Sequence, residues 1–141
     1  MAVVDDITGK VWLALRAKLE QFDECAIEWP MEPTGEAPDA KMPYLYVEPV
    51  ALDYEVDVLP YQCGEENRGF LNIRVNTPFT WNYAAAAGLM GRVKSAMPAG
   101  WQGFYDDARV LIYRKPTVQG APFIDGGHNR QDLRVDWRAW G

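Results

Sequence analysis

The chain has 141 residues, the usual size of one domain, and 48% of them are hydrophobic, enough for a sizeable core. Aromatic residues make up 13%, which excludes a disordered chain, and a formal net charge of −6 argues against ordinary nucleic-acid binding. No apolar run reaches the ~18 residues of a membrane span, and Met1 to Asp6 carries two acids and no basic n-region, so retention in the cytoplasm is expected.

Taken in chain order, Ile7, Val11, Leu15, Leu19 and Phe22 recur at helical spacing and predict a first helix from Asp6 to Phe22. Asp5 and Asp6 suit its N-cap, and Lys10, Arg16, Lys18 and Glu20 are expected on its wet side. A short apolar piece, Ala26 to Trp29, ends at Pro30. Pro30 to Pro43 holds four prolines and reads as a loop or extended arm. Tyr44 to Tyr54 alternates as a strand, and Pro49 within it predicts an edge position or a bulge. Glu55 to Arg68 mixes acids with Val56, Val58 and Tyr61 and is expected to form hairpin arms beyond the sheet.

Gly69 to Pro78 alternates strictly. Leu71, Ile73 and Val75 take one face and Asn72, Arg74 and Asn76 the other, the pattern of a half-buried strand. Pro78 has no N–H to continue a ladder, so the strand stops there. A second helix is predicted from Tyr83 to Met97, with Tyr83, Ala86, Met90, Val93 and Met97 as its apolar stripe. Beside the stripe lie Ala84, Ala87, Gly88, Gly91 and Ser95, a small-residue face expected to meet another backbone closely, in the core of the domain or else across subunits. Two glycines there cost roughly 1 kcal/mol each against alanine. Trp101 to Asp107 reads as a turn-rich connection, Arg109 to Arg114 as a short strand, and Pro116 to Arg130 as a loop. In the last strand, Gln131 to Trp140, Leu133, Val135, Trp137 and Ala139 share one face. Asp132, Arg134, Asp136 and Arg138 share the other, alternating in sign. The expected architecture is α+β in a single domain spanning residues 1–141. It has a small, mostly antiparallel or mixed sheet of about four strands plus hairpin arms. Two helices pack on one face, in the order α-β-β-α-β-β.

Charge is unevenly spread. Residues 1–66 hold 15 acidic and 4 basic side chains, and residues 67–141 hold 5 acidic and 10 basic. Folding that interleaves the halves would erase this asymmetry. Otherwise it marks a polar subunit whose acidic surface meets the basic surface of a neighbour. Glu55, Asp57, Glu65, Glu66, Asp132, Arg134, Asp136 and Arg138 are the candidate interface residues. For the last-strand charges, simple pairing across strands at about 0.2–1 kcal/mol per pair is the plainer alternative.

No catalytic, metal or cofactor site is expected. Cys25 and Cys63 are too few and too far apart for a zinc site or a disulfide framework, and they read as packed free thiols. His128, in Gly126-Gly-His-Asn129, has turn composition and reads as a surface residue. Cys63 and His128 would form a dyad only by a coincidence of folding, and a small enzyme using Cys63, His128 or a carboxylate pair is the less favoured alternative. The acidic pairs Asp5-Asp6, Glu65-Glu66 and Asp106-Asp107 read as caps, turns or solvated loops. No phosphate-binding or dinucleotide motif is present.

The order of segments resembles that of the tail terminators, or tail-completion proteins, of long-tailed bacteriophages. A helix of the type Val11-Trp-Leu-Ala-Leu-Arg-Ala-Lys-Leu19 precedes a proline-rich stretch and the proline-then-strand segment Pro43-Tyr-Leu-Tyr-Val47. A glycine and a strand ending in Thr-Pro follow, here Gly69 to Pro78. An alanine-rich helix and the closing strand Asp132-Leu-Arg-Val-Asp-Trp137 complete the series. The acidic segment Glu55 to Glu66 and Trp140 depart from that pattern. The resemblance implies a non-enzymatic virion protein of the tail, assembled in the bacterial cytoplasm. It implies a ring, commonly a hexamer, that caps the tail tube and stops its polymerisation. The implied partners are further copies of itself, the tail tube protein and a head completion or connector protein. Sequence-specific nucleic-acid binding and a membrane are not implied. A head–tail connector or another minor tail subunit of similar fold is the alternative.

Overall fold

The computed structural model describes residues 6–32, 39–52 and 66–141. The first helix, α1 (Ile7–Leu19), starts where Asp6 caps it by accepting a hydrogen bond from the Thr8 amide at 3.2 Å. It ends three residues short of Phe22, which nonetheless stays buried. Strands β1 (Ala26–Glu28), β2 (Tyr44–Leu52) and β3 (Glu66–Pro78) follow. Then come α2 (Tyr83–Ala96), β4 (Gln102–Tyr105), β5 (Ala108–Ile112), β6 (Thr117–Asp125) and β7 (His128–Trp140).

The α+β expectation holds broadly, but the described residues form a seven-stranded mixed sheet rather than one of about four strands. Its path is β1-β2-β3-β7-β5-β4, and β6 also pairs with β7. Only β1 and β2 run parallel; every other pairing is antiparallel. β3 and β7 form the spine, paired from Glu66 opposite Trp140 to Pro78 opposite His128. The far side of β7 is shared: β5 takes its C-terminal half and β6 its N-terminal half.

That register decides the two faces, because opposed residues share a face. Leu45, Val47, Leu71, Ile73, Val75, Leu133, Val135, Trp137, Ala139, Val110 and Ile112 all fall on one side and are buried. Val11, Ala14, Leu15 and Leu19 from α1 join them, as do Leu89, Met90, Val93 and Met97 from α2. The two helices therefore bury into one cluster on one face, as the alternation in β3 and β7 predicted.

Several expectations are corrected. Trp101 to Asp107 is not simply a connection, since β4 pairs with β5 across a two-residue turn at Asp106 and Asp107. Pro116 to Arg130 is not a loop but contains β6, joined to β7 by a two-residue turn at Gly126 and Gly127. Gly126 takes φ +61°, a conformation glycine adopts at no steric cost. β6 is exposed along almost its whole length, so it has no dry face to imprint an alternation. Gly120 and Pro122 further mask it, at an irregularity in its pairing between Gln119 and Phe123.

In α2 the buried stripe is Leu89, Met90, Val93 and Met97, whereas Tyr83 is 69% exposed. Ala84, Ala87, Gly91 and Ser95 are exposed too, so the small-residue face does not pack in the core. Among the described residues Pro49 meets expectation: β1 pairs with β2 only from Tyr44 to Tyr46, which leaves Pro49 on an edge. Lys10 is buried rather than wet. It spans from α1 to the β4–β5 turn, donating to Asp107 and lying 3.3 Å from Asp106.

Candidate functional site

The face of the sheet opposite the helices carries the side chains that chemistry could use. Across β2, β3 and β7 the rows on this face read Tyr44–Asn76–Arg130, Tyr46–Arg74–Asp132, Glu48–Asn72–Arg134 and Val50–Phe70–Asp136. β5 adds Arg109 opposite Trp140 and Leu111 opposite Arg138. Each position is set by the same two-residue period that buries Leu71 and Val135 behind it.

Charges here are held in a lattice. Arg130 grips Asp132 with two hydrogen bonds, Nε at 2.7 Å and an η-nitrogen at 2.8 Å, and reaches Asp125 at 3.0 Å. That fork, before any other contact, holds the Asp132 carboxyl below the usual carboxylate range and raises Arg130. Arg74 Nε donates to Glu48 at 2.5 Å, and Asn72 Nδ2 donates to Glu48 at 3.2 Å and to Asp132 at 3.4 Å. Arg134 Nε donates to Asp136 at 2.9 Å, where the Asp136 side chain is only 5% exposed. Arg114 stands 3.7 Å from the same carboxylate. Glu66 lies 3.1 Å from Arg68 and 3.3 Å from Arg138.

Arginines on this face also stack on aromatic rings. Arg134 sits 3.9 Å from the Phe70 ring centre, Arg138 4.4 Å from Tyr113 and Arg109 4.7 Å from Trp140. Arg74 stacks on Tyr46, Arg114 on Tyr113 and Arg130 on Phe123. Each contact contributes about 0.5–1 kcal/mol at an exposed site. Stacking fixes the plane of a guanidinium and leaves its edge N–H groups to meet an acceptor.

The candidate interface residues are therefore partly assembled. Glu66, Asp132, Arg134, Asp136 and Arg138 share the open face; Arg138 pairs with Glu66 across strands, whereas Asp132 and Arg134 pair along β7, with Arg130 and Asp136. Glu55, Asp57 and Glu65 lie outside the described residues. The sequence reading missed Arg109, Arg114, Arg130 and the rings beneath them. The alternation of Arg109 with buried Val110 was the available signal for the first of these.

The groups considered for catalysis sit elsewhere. His128 is the first residue of β7 and is 4% exposed, not a surface turn residue. Its Nε2 lies 3.0 Å from the Met42 carbonyl oxygen, and its ring meets Tyr44 edge-on at 4.9 Å. Cys25 is half-buried, and burial pushes its thiol up to about 11. Cys63 lies outside the described residues. Among the described residues no group of three or more His, Cys, Asp or Glu side chains is placed to hold a metal ion. No helix among them is long and apolar enough to cross a membrane.

A second feature lies on the helix side. An apolar cleft of about 240 Å³ opens between α1 and the free edge of β2, lined by Trp12, Leu15, Pro49, Val50, Leu71 and Trp137 among others. It contains no titratable side chain.

No family model matches this chain, and no curated protein matches it. A solved structure superposes on it with a TM-score of 0.65, covering 99% of this chain and 96% of the other at 11% identity. That likeness shows a shared fold and nothing finer.

Proposed function

We propose that this chain is a structural virion subunit of the tail-terminator kind. In this reading it acts without enzymatic chemistry, as a closed ring of identical copies, six by the resemblance in segment order. The ring caps the tail tube, stops its polymerisation and offers the surface to which a head completion or connector protein binds.

The observation that carries the reading is the arginine-rich face of the sheet opposite the two helices, set against the acidic remainder of the chain. A closed ring needs heterologous contacts, one surface of each copy against a different surface of the next. The described residues offer unlike surfaces of that kind. The open face is lined with arginines, α2 exposes Tyr83 and several of its alanines, and among the described residues β1 and β4 end the sheet with different edges. A protein whose net charge is −6 also suits a channel for DNA, since phosphate contacts are what hold nucleic acid nonspecifically.

The test is genetic and visual. Particles made without this protein should have overlong tails that do not join heads, and supplying the protein should restore normal length. Tails of normal length that merely fail to join heads would replace this reading with a connector.

A further inference from the structure

The open face is electrically lopsided. Toward its Tyr44 end, Arg74 and Arg130 are matched by Glu48, Asp125 and Asp132. Toward its Trp140 end, Arg114 and Arg134 share Asp136, Arg138 meets Glu66, and Arg109 stands opposite Trp140. Glu66 is in addition shared with Arg68. Arg109 is exposed and pairs with no carboxylate among the described residues; there it stacks on Trp140. Arg138 Nε is buried and makes no hydrogen bond, although Glu66 is 3.3 Å away.

The compensating charge lies in other segments. The described residues carry fourteen basic and fourteen acidic side chains, so the net −6 belongs wholly to residues 1–5, 33–38 and 53–65. Residues 53–65 alone supply Asp53, Glu55, Asp57 and Glu65 with no basic residue. Their acids alternate with Tyr54, Val56 and Val58, a strand-period pattern. Leu52 lies directly opposite Arg68 across β2 and β3. A turn of two to five residues commonly closes such a pair. The thirteen residues between Leu52 and Glu66 are far more than closure needs.

We propose that the basic end of the open face is a seat for a second copy of this chain, and that the acidic 53–65 segment of that copy is what it receives. This rests on the ring reading above. The stacked guanidiniums present their edges to incoming carboxylates, and the aromatic rings beneath them offer apolar surface to Tyr54, Val56 and Val58. Because donor segment and receiving face are different parts of one chain, the contact is heterologous and repeats from copy to copy.

The experiment uses two full-length variants. One neutralises the donor: Asp53→Asn, Glu55→Gln, Asp57→Asn and Glu65→Gln. The other reverses the seat at exposed positions: Arg109→Glu and Arg114→Glu. A form with only Arg109→Glu, at an exposed position of β5 that pairs with no carboxylate among the described residues, guards against misfolding. Mass photometry and light scattering should find each variant monomeric alone at concentrations where the wild type assembles. Mixed one to one, they should form a heterodimer and nothing larger, because only one intact donor and one intact seat remain. Raising the salt tenfold should weaken the heterodimer by roughly tenfold or more. Variants that assemble like the wild type, or a mixture that stays monomeric, overturn the inference; the latter result makes the acidic segment an occupant of its own chain's face. Binding of a short DNA duplex to the donor-neutral variant more tightly than a peptide of residues 52–66 overturns it also. If wild type and variants all form rings on tails, this inference fails while the ring reading stands. If wild type never associates with tails, the ring reading fails whatever the heterodimer shows.

Discussion

Gly69 is the position at which the sheet tolerates least. It lies in β3 between Ala51 of β2 and Trp137 of β7, on the buried face. A Cβ there would stand 2.3 Å from Trp137 Cζ2 and 2.3 Å from the Val50 carbonyl oxygen. Ordinary contacts begin at 3.4 Å, so both gaps are about an ångström too short. The indole cannot swing away easily, because Trp137 is 4% exposed and belongs to the core. The carbonyl cannot move without disturbing the pairing of β2 with β3. Overpacking a core costs about 1–3 kcal/mol, and two clashes, one of them with backbone, put Gly69→Ala at about 3 kcal/mol. For a chain of this size that is a fall in Tm of about 10 °C. Thermal unfolding followed by circular dichroism or calorimetry reads it directly. In a Trp137→Leu background the same change should cost less by about 1–2 kcal/mol, since the ring clash is gone and the carbonyl clash remains. A Gly69→Ala protein that melts within 2 °C or so of wild type would refute this account of how β3 packs.

Three further outcomes are expected. Asn82→Ala removes the oxygen that accepts from the Ala85 amide at 2.8 Å and should cost about 1 kcal/mol, read by urea unfolding. Asp132 has a folded pKa depressed by Arg130, so its stabilisation is complete above the ordinary carboxylate value of about 4 and is lost as pH falls through the lower folded value. Asp132→Asn should therefore flatten the acid limb of the stability profile, and it should cost about 1–3 kcal/mol at neutral pH; an unchanged acid limb would remove the Arg130–Asp132 fork from the account. Cys25, pushed up by burial, should alkylate slowly at pH 8 and speed up as pH approaches 11, followed by mass spectrometry of the peptide that contains it.

What the sequence disclosed depended on whether an element has one dry face. β3 and β7 were legible because Leu71, Ile73, Val75 and Leu133, Val135, Trp137 are buried while their neighbours are not. α1 was legible for the same reason. β6 was not, because its backbone ladders onto β7 while its side chains stay wet, leaving no pattern to read. In α2 the buried stripe runs through Leu89 rather than Tyr83, and alanines on both sides of it made the two faces look alike. His128 sits where a turn signal gives way to a strand, so glycines beside it suggested exposure although Met42 and Tyr44 enclose it. The alternating charges of β7 pointed to the open face correctly. The aromatic rings under its arginines come from β3, from β6 and from Tyr113 just after β5, and only the sheet order brings those segments beside β7.

The burial of Asp136 also limits how the face can be tested. Arg134→Glu would set a second carboxylate against a side chain that is 5% exposed, so its effect would mix folding with association. Arg109 is exposed, pairs with no carboxylate among the described residues, and tests the same positive field without that complication.

The central claim is that copies of this chain close into a ring on the end of a tail tube. Electron microscopy of purified tail tubes, polymerised in the presence and absence of the protein, tests it most directly. The account expects a ring of density at one tip of each tube and tubes of bounded length when the protein is present. Tubes that carry no ring and grow equally long in both cases would contradict it.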